Sequence, residues 1–398
     1  MKLTINKITN KALQGHMLTD DEAIALTDCD NVDMLTYTAA TMRDRGHGSI
    51  ITYSPKVIIP FTSFCNVEWD YCTLSNPFRN SNNIYLDKQT ILNIAQRGKD
   101  AGCNEVLFFL STKPEQWSEK SKAELKQFGY KSTLDYLIAM AKCIYEVTGM
   151  LPKLHSGVLN RNELSNLRSV SLAQGLMLDS RAEYFCEENS SSYGATNQHL
   201  YVRLGVAAAA GAINIPFTSG IVIGLGENRR ERIDALLGLR HLNETFGHLQ
   251  EIVIQNYRRE VDIKGNRISK SMLHELLWTI AVSRIIFGAD ANIQAPADIP
   301  MPALTLLLNA GINDWGSVIP APIGLTGNSA PWPQLDVIAE TTKKQGKQLR
   351  TRLPLYPSYV KNKEKWLDES FHHRVSSLTD SQGYALSGFK TKSNEIDG

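Results

Sequence analysis

The sequence predicts an α/β barrel of the (β/α)8 type, in which parallel strands alternate with helices. Short apolar runs and helical patterns alternate from Lys56 onward, and eight such units are the number that closes a barrel. The chain has 398 residues, enough for one large barrel with extensions. We therefore expect a helical extension at residues 1–50, the barrel at residues 51–350 and a polar C-terminal extension and tail at residues 351–398.

The first 50 residues have a helical and polar pattern. The acidic run at residues 20–22 is typical of the first turn of a helix, because carboxylates are favourable near a helix N-terminus. Residues 34–42 form a second, amphipathic pattern. The eight expected strands follow at residues 57–61, 105–110, 151–154, 170–178, 216–224, 251–257, 292–295 and 314–319.

Two of the helices between these strands have clear signals. Residues 229–246 follow Asn228, with Glu231 three positions later, which is the pattern of a capping box. Residues 271–286 place leucine and isoleucine side chains on one helical face. Beyond Trp366 the chain is dominated by Ser, Thr, Asp and Gly, so we expect the tail to be poorly ordered.

The composition argues against several functional classes. A formal net charge of +1 gives no electrostatic basis for binding nucleic acid or an anionic membrane. The first 15 residues lack the apolar core of a signal peptide, and the most apolar segment, residues 213–225, is too short and too polar to span a bilayer. Six scattered cysteines suit a reducing compartment. We expect a cytoplasmic protein with a small-molecule substrate.

One loop has nearly the pattern of an iron–sulfur site. In FTSFCNVEWDYCTL, residues 61–74, Cys65 and Cys72 stand seven positions apart, and Tyr71 directly precedes the second cysteine. A CxxxCxxC loop would hold a 4Fe–4S cluster by three thiolates. Its middle position is occupied by Trp69, whose indole offers only an N–H donor and cannot bind iron. The loop thus supplies two candidate metal ligands of the expected three.

The sequence leaves the third ligand open. A carboxylate or a more distant cysteine could complete the set, or Trp69 could fill the cavity with its apolar ring so that no iron is held. The candidate substitutes for the missing cysteine are Glu68, Asp70, Cys103 and Cys186.

Several ordered sequence blocks resemble one enzyme family. The blocks are TMRDRGHGSIITYSPKVIIPFTSFC, IPFTSGIVIGLGENRRERID, GHLQEIVIQNYR, HELLWTIAVSRII, NIQAP and GINDWG. Together they resemble the radical S-adenosylmethionine enzymes that close the deazaflavin ring, that is, the CofG-type subunit of Fo synthase and the N-terminal half of the fused FbiC-type enzyme. The resemblance extends over roughly residues 35–368, and its many ordered blocks make it more specific than a barrel alone.

The resemblance implies a radical SAM barrel with a 4Fe–4S cluster and S-adenosylmethionine as cofactors. In the family, cleavage of S-adenosylmethionine gives a 5′-deoxyadenosyl radical, which takes hydrogen from 5-amino-5-(4-hydroxybenzyl)-6-(D-ribitylimino)uracil. Ring closure with loss of ammonia then gives 7,8-didemethyl-8-hydroxy-5-deazariboflavin, which makes the enzyme a lyase. The implied protein partner is a synthase of the CofH type.

The resemblance also assigns candidate site residues, although no catalytic residue is among them. Cys65 and Cys72 match cluster ligands. The positions matched to S-adenosylmethionine binding are Tyr71, Ser111, Thr112, Gly224, Gly226 and Glu227. The positions matched to substrate binding are Gln255, Asn256, Asn292 and Gln294.

The chain departs from the family pattern mostly on loops that follow strands, where barrel enzymes keep their chemistry. Ser111 and Thr112 stand where the family has glycine and an acid that receives the methionyl ammonium. LPKLHSG stands where the family has LPHTNPG. It contains His155, which could be a ligand, an acid–base group or a pocket-lining residue. SYGATNQ and YRREVDIKGN likewise replace HYGSPDK and FRAKPGT.

Two functional hypotheses follow from this distribution. The first is a deazaflavin-synthase-type lyase with an incomplete or labile cluster site. The second is a catalytically degenerate paralogue that keeps a ligand-binding, regulatory or partner-binding role without an iron–sulfur cluster. The amount of iron that the chain can hold distinguishes them.

Overall fold

The computed structural model describes residues 2–62, 83–110, 113–179, 199–257, 267–297, 299–318 and 335–386. Its centre is a closed parallel barrel with eight strand positions, which confirms the predicted fold. The strands in chain order are β1 (Ile50–Pro60), β2 (Glu105–Phe109), β3 (Leu151–His155), β4 (Ala173–Gly175), β5 (Leu178–Asp179), β6 (Phe217–Ile223), β7 (Leu249–Asn256), β8 (Ile293–Gln294), β9 (Asp314–Val318) and β10 (Gln348–Thr351).

The strand order is β1-β2-β3-β4-β6-β7-β8-β9, and the pairing of β9 with β1 closes the barrel. β5 continues the fourth position and pairs with β6. β10, which the sequence does not predict, lies parallel to the first residues of β1. The first residues of β1 therefore pair with β9 and with β10, which both come from the last third of the chain.

The fourth strand position differs from the prediction of one strand at residues 170–178. β4 and β5 are separated by two residues whose carbonyl oxygens accept hydrogen bonds from side chains. Ser219 Oγ donates to the oxygen of Leu176 at 2.8 Å, and the guanidinium of Arg203 donates to the oxygen of Met177. Because these oxygens bond to side chains instead of to a neighbouring strand, the strand is interrupted.

Helices precede, surround and follow the barrel. The predicted N-terminal helical extension is present, and α9 begins at the predicted capping box of Asn228 and Glu231. The helices are α1 (Lys2–Leu13), α2 (Asp20–Ala25), α3 (Val32–His47), α4 (Lys88–Asp100), α5 (Glu119–Phe128), α6 (Thr133–Thr148), α7 (Arg161–Arg168), α8 (Leu200–Gly211), α9 (Arg229–Phe246), α10 (Lys270–Phe287), α11 (Met301–Asn309), α12 (Leu335–Lys344), α13 (Pro357–Lys361), α14 (Lys363–Trp366) and α15 (His372–Leu378). Over the described ranges, no helix has the length and apolar character to cross a membrane.

Four charged side chains from the strands point into the barrel lumen. Lys56 Nζ lies 2.7 Å from a carboxylate oxygen of Glu105 on the neighbouring strand. Lys153 Nζ on β3 lies 2.9 Å from a carboxylate oxygen of Glu251 on β7. All four side chains are at most 3% exposed. Because a buried charge is tolerated only when it is paired, these contacts explain how the charges are accommodated.

Arg352, directly after β10, completes this charged network. Its guanidinium donates to Asp314 at 2.6 Å and to Glu251 at 3.1 Å, and it lies 4.2 Å from the ring centre of Tyr356. Three cations then face three anions, so the network is neutral. Asp314 and Glu105 are the first residues of their strands. The network therefore closes the lumen at the N-terminal end of the barrel.

The C-terminal segment is folded where the sequence predicts a poorly ordered tail. After Trp366 the chain forms α15, and Phe371 and Val375 are buried in a second hydrophobic cluster with side chains of β3 and β4. The prediction of disorder is therefore wrong for residues 367–386. A few apolar residues four positions apart are enough to dock an otherwise polar segment. Residues 387–398 lie outside the described ranges.

A half-buried histidine joins α3 to the barrel. His47 Nε2 lies 3.0 Å from the oxygen of Ala291, and its Nδ1 faces the amide nitrogen of Asn313 at 3.5 Å. Only a neutral ring with its proton on Nε2 satisfies both contacts. Burial, followed by the nearby Arg284 guanidinium, lowers the pKa of His47 to about 4. Burial likewise lowers the pKa of His248 to about 4.

The free energy of unfolding is expected to fall as the pH falls from about 6.5 toward 4. In this window an unfolded histidine binds a proton that buried His47 does not, so the folded state is disfavoured. The His47→Gln variant should lose up to about 1.4 kcal/mol per pH unit of this slope. Denaturant unfolding across the window measures the slope, with His16→Gln at an exposed site as the control. An equal slope in the unmodified chain and the His47 variant would contradict the assignment.

Candidate functional site

Within the described ranges, the lumen is open at the end opposite the charged network. Strand residues alternate in direction, so side chains two or four positions beyond the network residues also point inward. These are Ile58, Phe109, His155 and Gln255, and all four are partly exposed. These side chains therefore line the lumen toward the carboxyl ends of the strands, where barrel enzymes carry their sites. The family resemblance does not identify Ile58 and Phe109. Counting in steps of two along each strand from its charged residue does identify them.

His155 is the last residue of β3 and lies between two neighbouring strands. Its ring centre is 6.2 Å from that of Phe109 on β2. On the other side it covers Gly175 of β4, where an added Cβ would come within 2.5 Å of His155 Nε2. Burial, followed by the Lys153 ammonium, lowers the pKa of His155 to about 3, so the ring is neutral near pH 7.

The glycine-rich turn after β6 is held by its own acidic residue. Glu227 accepts hydrogen bonds from the backbone N–H groups of Gly224 and Leu225, each at 2.8 Å, and from Arg232 Nε at 2.8 Å. Gly224 has φ +89°, a conformation that favours glycine. Gly226 is exposed at the tip of the turn. The turn is therefore preorganised at the rim of the pocket, and the carboxylate of Glu227 is engaged in holding it.

The four amides matched to substrate binding do not lie together. Gln255 points into the open part of the lumen, and Asn256 follows it on the opposite face of β7 and is buried. Gln294 ends β8 and is 8% exposed. Asn292 precedes β8 at the N-terminal end of the barrel, and its amide donates to a backbone oxygen of β7 at 2.8 Å. The structure brings Gln255, but not Asn292, to the open end.

The cluster loop and the S-adenosylmethionine turn fall outside the described ranges. This concerns Cys65, Glu68, Trp69, Asp70, Tyr71, Cys72, Ser111, Thr112 and Cys186. The described chain fixes where that loop begins and ends, because β1 ends at Pro60 and Thr62 forms an antiparallel bridge with Tyr85. Thr62 and Tyr85, the described residues on either side of this segment, therefore lie beyond the C-terminal end of β1.

Cys103 is not in position to replace the missing cluster cysteine. It precedes β2 at the N-terminal end of the barrel, whereas the cluster loop follows the C-terminal end of β1. The five residues of β2 separate these two ends by roughly 15 Å. Burial raises the pKa of the Cys103 thiol to about 12, so it remains protonated. The place of Cys103 therefore argues against its serving as the third ligand.

The remaining described residues offer no alternative site for a metal ion. Among them, no group of three or more His, Cys, Asp or Glu side chains is arranged to hold one. The charged network at the other end of the lumen is satisfied by its own ion pairs.

Comparison with known proteins places the chain in a family. No family model matches it. It is 33% identical over 336 residues to the 7,8-didemethyl-8-hydroxy-5-deazariboflavin synthase of Methanopyrus kandleri, an alignment that covers 84% of the chain and all of that protein. The chain belongs to this deazaflavin synthase family. The resemblance found in the sequence is thereby confirmed.

The family also contains longer synthases. The chain is 34% identical over 389 residues to the FO synthase of Streptomyces coelicolor and 35% identical over 394 residues to that of Mycobacterium leprae. These alignments cover 95% and 94% of the chain but only 45% and 46% of the FO synthases. The chain thus spans about half the length of these relatives.

Solved structures support the deazaflavin synthase barrel at the level of the fold. The FeFe-hydrogenase maturase HydG from Carboxydothermus hydrogenoformans superposes with a TM-score of 0.68, covering 96% of the chain and 92% of HydG. Methylornithine synthase PylB superposes with a TM-score of 0.63, covering 86% of the chain and 97% of PylB. Both are 17% identical to the chain, so the likeness concerns the fold alone.

Proposed function

We propose that the chain acts in deazaflavin cofactor biosynthesis, at the step that closes the ring of 7,8-didemethyl-8-hydroxy-5-deazariboflavin. The alignment over the whole length of the Methanopyrus kandleri synthase carries this proposal. The substrate would be 5-amino-5-(4-hydroxybenzyl)-6-(D-ribitylimino)uracil, supplied by a partner synthase of the CofH type. Ammonia leaves as the ring closes.

The open lumen suits an uncharged ring compound. Ile58 and Phe109 provide apolar contact, while His155 and Gln255 provide hydrogen-bonding groups. The charges beneath them are paired with one another and demand no counterion from a ligand. Such a lining of apolar surface with a few placed polar groups is typical of small-molecule sites.

The family implies S-adenosylmethionine and a 4Fe–4S cluster, and the two requirements are met unequally. The preorganised turn at Gly224–Glu227 carries the glycines that the family resemblance matches to the nucleoside, and Gly226 is exposed at its tip. For the cluster, Cys65 and Cys72 are two thiolates where the family uses three, and Cys103 lies at the wrong end of the barrel. The residues do not fit a cluster held by three cysteines.

Trp69 favours a second candidate function. A barrel that binds the same ring compounds without iron chemistry would keep the fold and the pocket while losing a ligand, which is the pattern of the chain. In that case the protein would act by ligand or partner binding.

Deazaflavin formation tests the proposal. The full chain, reconstituted anaerobically with iron and sulfide and given S-adenosylmethionine, a reductant and the partner synthase, is expected to form deazaflavin more slowly than its Trp69→Cys variant. Fluorescence and mass spectrometry measure the product. If neither chain forms deazaflavin but both bind it, ring closure is overturned and the second candidate stands. If neither chain forms or binds it, both candidates are wrong.

A further inference from the structure

The strongest unassigned feature is the imidazole of His155 in the open lumen. Its Nε2 is buried and has no hydrogen-bond partner among the described residues. Nδ1 is less enclosed than Nε2, and the ring as a whole is partly exposed. The accessible nitrogen of the ring is therefore Nδ1.

The surroundings of the ring determine where its single proton lies. A buried N–H without an acceptor is rarer and costlier than a buried acceptor without a donor. Nε2 lies against Gly175 and has no acceptor, so the proton is favoured on Nδ1. The charged groups that face the ring are Lys153, Lys56, Glu251 and Glu105, which are paired with one another below it.

We propose that His155 is a specificity-determining residue whose Nδ1–H donates a hydrogen bond to a carbonyl oxygen or imine nitrogen of the ring compound in the lumen. The proposal rests on the proposed function for the class of ligand. A ring with this proton arrangement and a pKa far below neutrality binds an acceptor but is a poor base. His155 thus fixes the orientation of the ligand and takes no proton from it.

Binding of deazaflavin to the full chain tests the role without any ring closure. Fluorescence polarisation with 7,8-didemethyl-8-hydroxy-5-deazariboflavin as the probe measures Kd. His155→Phe keeps an aromatic ring but removes the donor, so Kd is expected to rise about 10-fold. His155→Asn, which keeps an N–H donor, should stay within about 3-fold of the unmodified chain. The matched control is His248→Phe, the same change at a buried histidine outside the lumen, with no expected change in Kd.

A second variant moves the ring without removing it. An added methyl group in Gly175→Ala would come within 2.5 Å of His155 Nε2 and 2.9 Å of the backbone oxygen of Thr218, so the ring is expected to shift and binding to weaken as in His155→Phe. Gly205→Ala, in a helix with open space around it, is the control. Thermal unfolding of each variant shows whether it is folded, and ¹⁵N NMR of the histidines reports a protonated Nδ1 if the tautomer is correct.

The outcomes separate this inference from the proposed function. If the unmodified chain binds deazaflavin and His155→Phe binds it equally well, the role of His155 is overturned while the proposed ligand stands. A protonated Nε2 and bare Nδ1 in the NMR spectrum would also overturn it. If the unmodified chain does not bind deazaflavin, the role of His155 is overturned, and the formation assay decides separately whether the proposed function stands.

Discussion

After identical reconstitution with iron and sulfide, the Trp69→Cys variant is expected to hold several times more iron than the unmodified chain. The substitution restores the thiolate spacing of a three-cysteine cluster loop, of which Cys65 and Cys72 are already present. Ring closure should recover less than iron, because Ser111 and Thr112 still replace the glycine and acid of the family. Iron analysis and the visible absorbance of the cluster measure the effect.

The structure supplies a matched control for this experiment. Cys103→Ala removes a thiol at the opposite end of the barrel and should leave the iron content of the Trp69→Cys variant unchanged. Cys65→Ala in the same background should abolish the gain. About four iron atoms per unmodified chain would contradict the prediction and would direct attention to Glu68 and Asp70 as ligands.

Arg352→Met is expected to destabilise the protein by about 3–5 kcal/mol. The guanidinium is fully buried and pairs with Asp314 and Glu251, so its loss leaves the lumen network with one uncompensated negative charge. Removing one partner of a buried ion pair is costly for this reason, even where the intact pair contributes little net stability. Denaturant unfolding followed by circular dichroism measures the change.

Two further variants identify the cause of that loss. Lys344→Met breaks an exposed ion pair with Glu340 and should have no measurable effect. Arg352→Met combined with Asp314→Asn restores neutrality and should recover part of the lost stability. If Arg352→Met, like Lys344→Met, leaves the free energy of unfolding unchanged, the charged network does not stabilise the barrel.

The strands of the barrel could be predicted from the sequence because their apolar runs are local signals. The partners of the charged residues inside them could not, since Lys153 meets Glu251 only after the sheet closes. Their presence within apolar strands was nevertheless informative, because such charges must face an enclosed space and be paired. Arg352 lies beyond the predicted strands, and no local pattern links it to Asp314.

The site was predictable only in part, for geometric reasons. Strand boundaries shift by a few residues in sequence-based prediction, and Asn292 at the closed end is only two positions from Gln294 at the end of β8. The sequence alone does not show that Cys103 lies before β2, at the end opposite the start of the cluster loop. The polar composition of the tail predicts disorder, whereas the four-residue spacing of Leu367, Phe371 and Val375 provides the apolar face that docks it.

The closure of β1 by late strands has a consequence during synthesis. Asp314, the partner of Thr52, is synthesised 262 residues later. At a synthesis rate of about 5–20 residues per second, this takes roughly 15–50 s. For that time one edge of an eleven-residue apolar strand has no native neighbour, and such an edge is prone to pair with other chains. Lys56 lies near the middle of that strand, and an inward-pointing charge is a known means of discouraging such pairing. We therefore expect the lysine that pairs with Glu105 in the finished barrel also to discourage such pairing in the nascent chain.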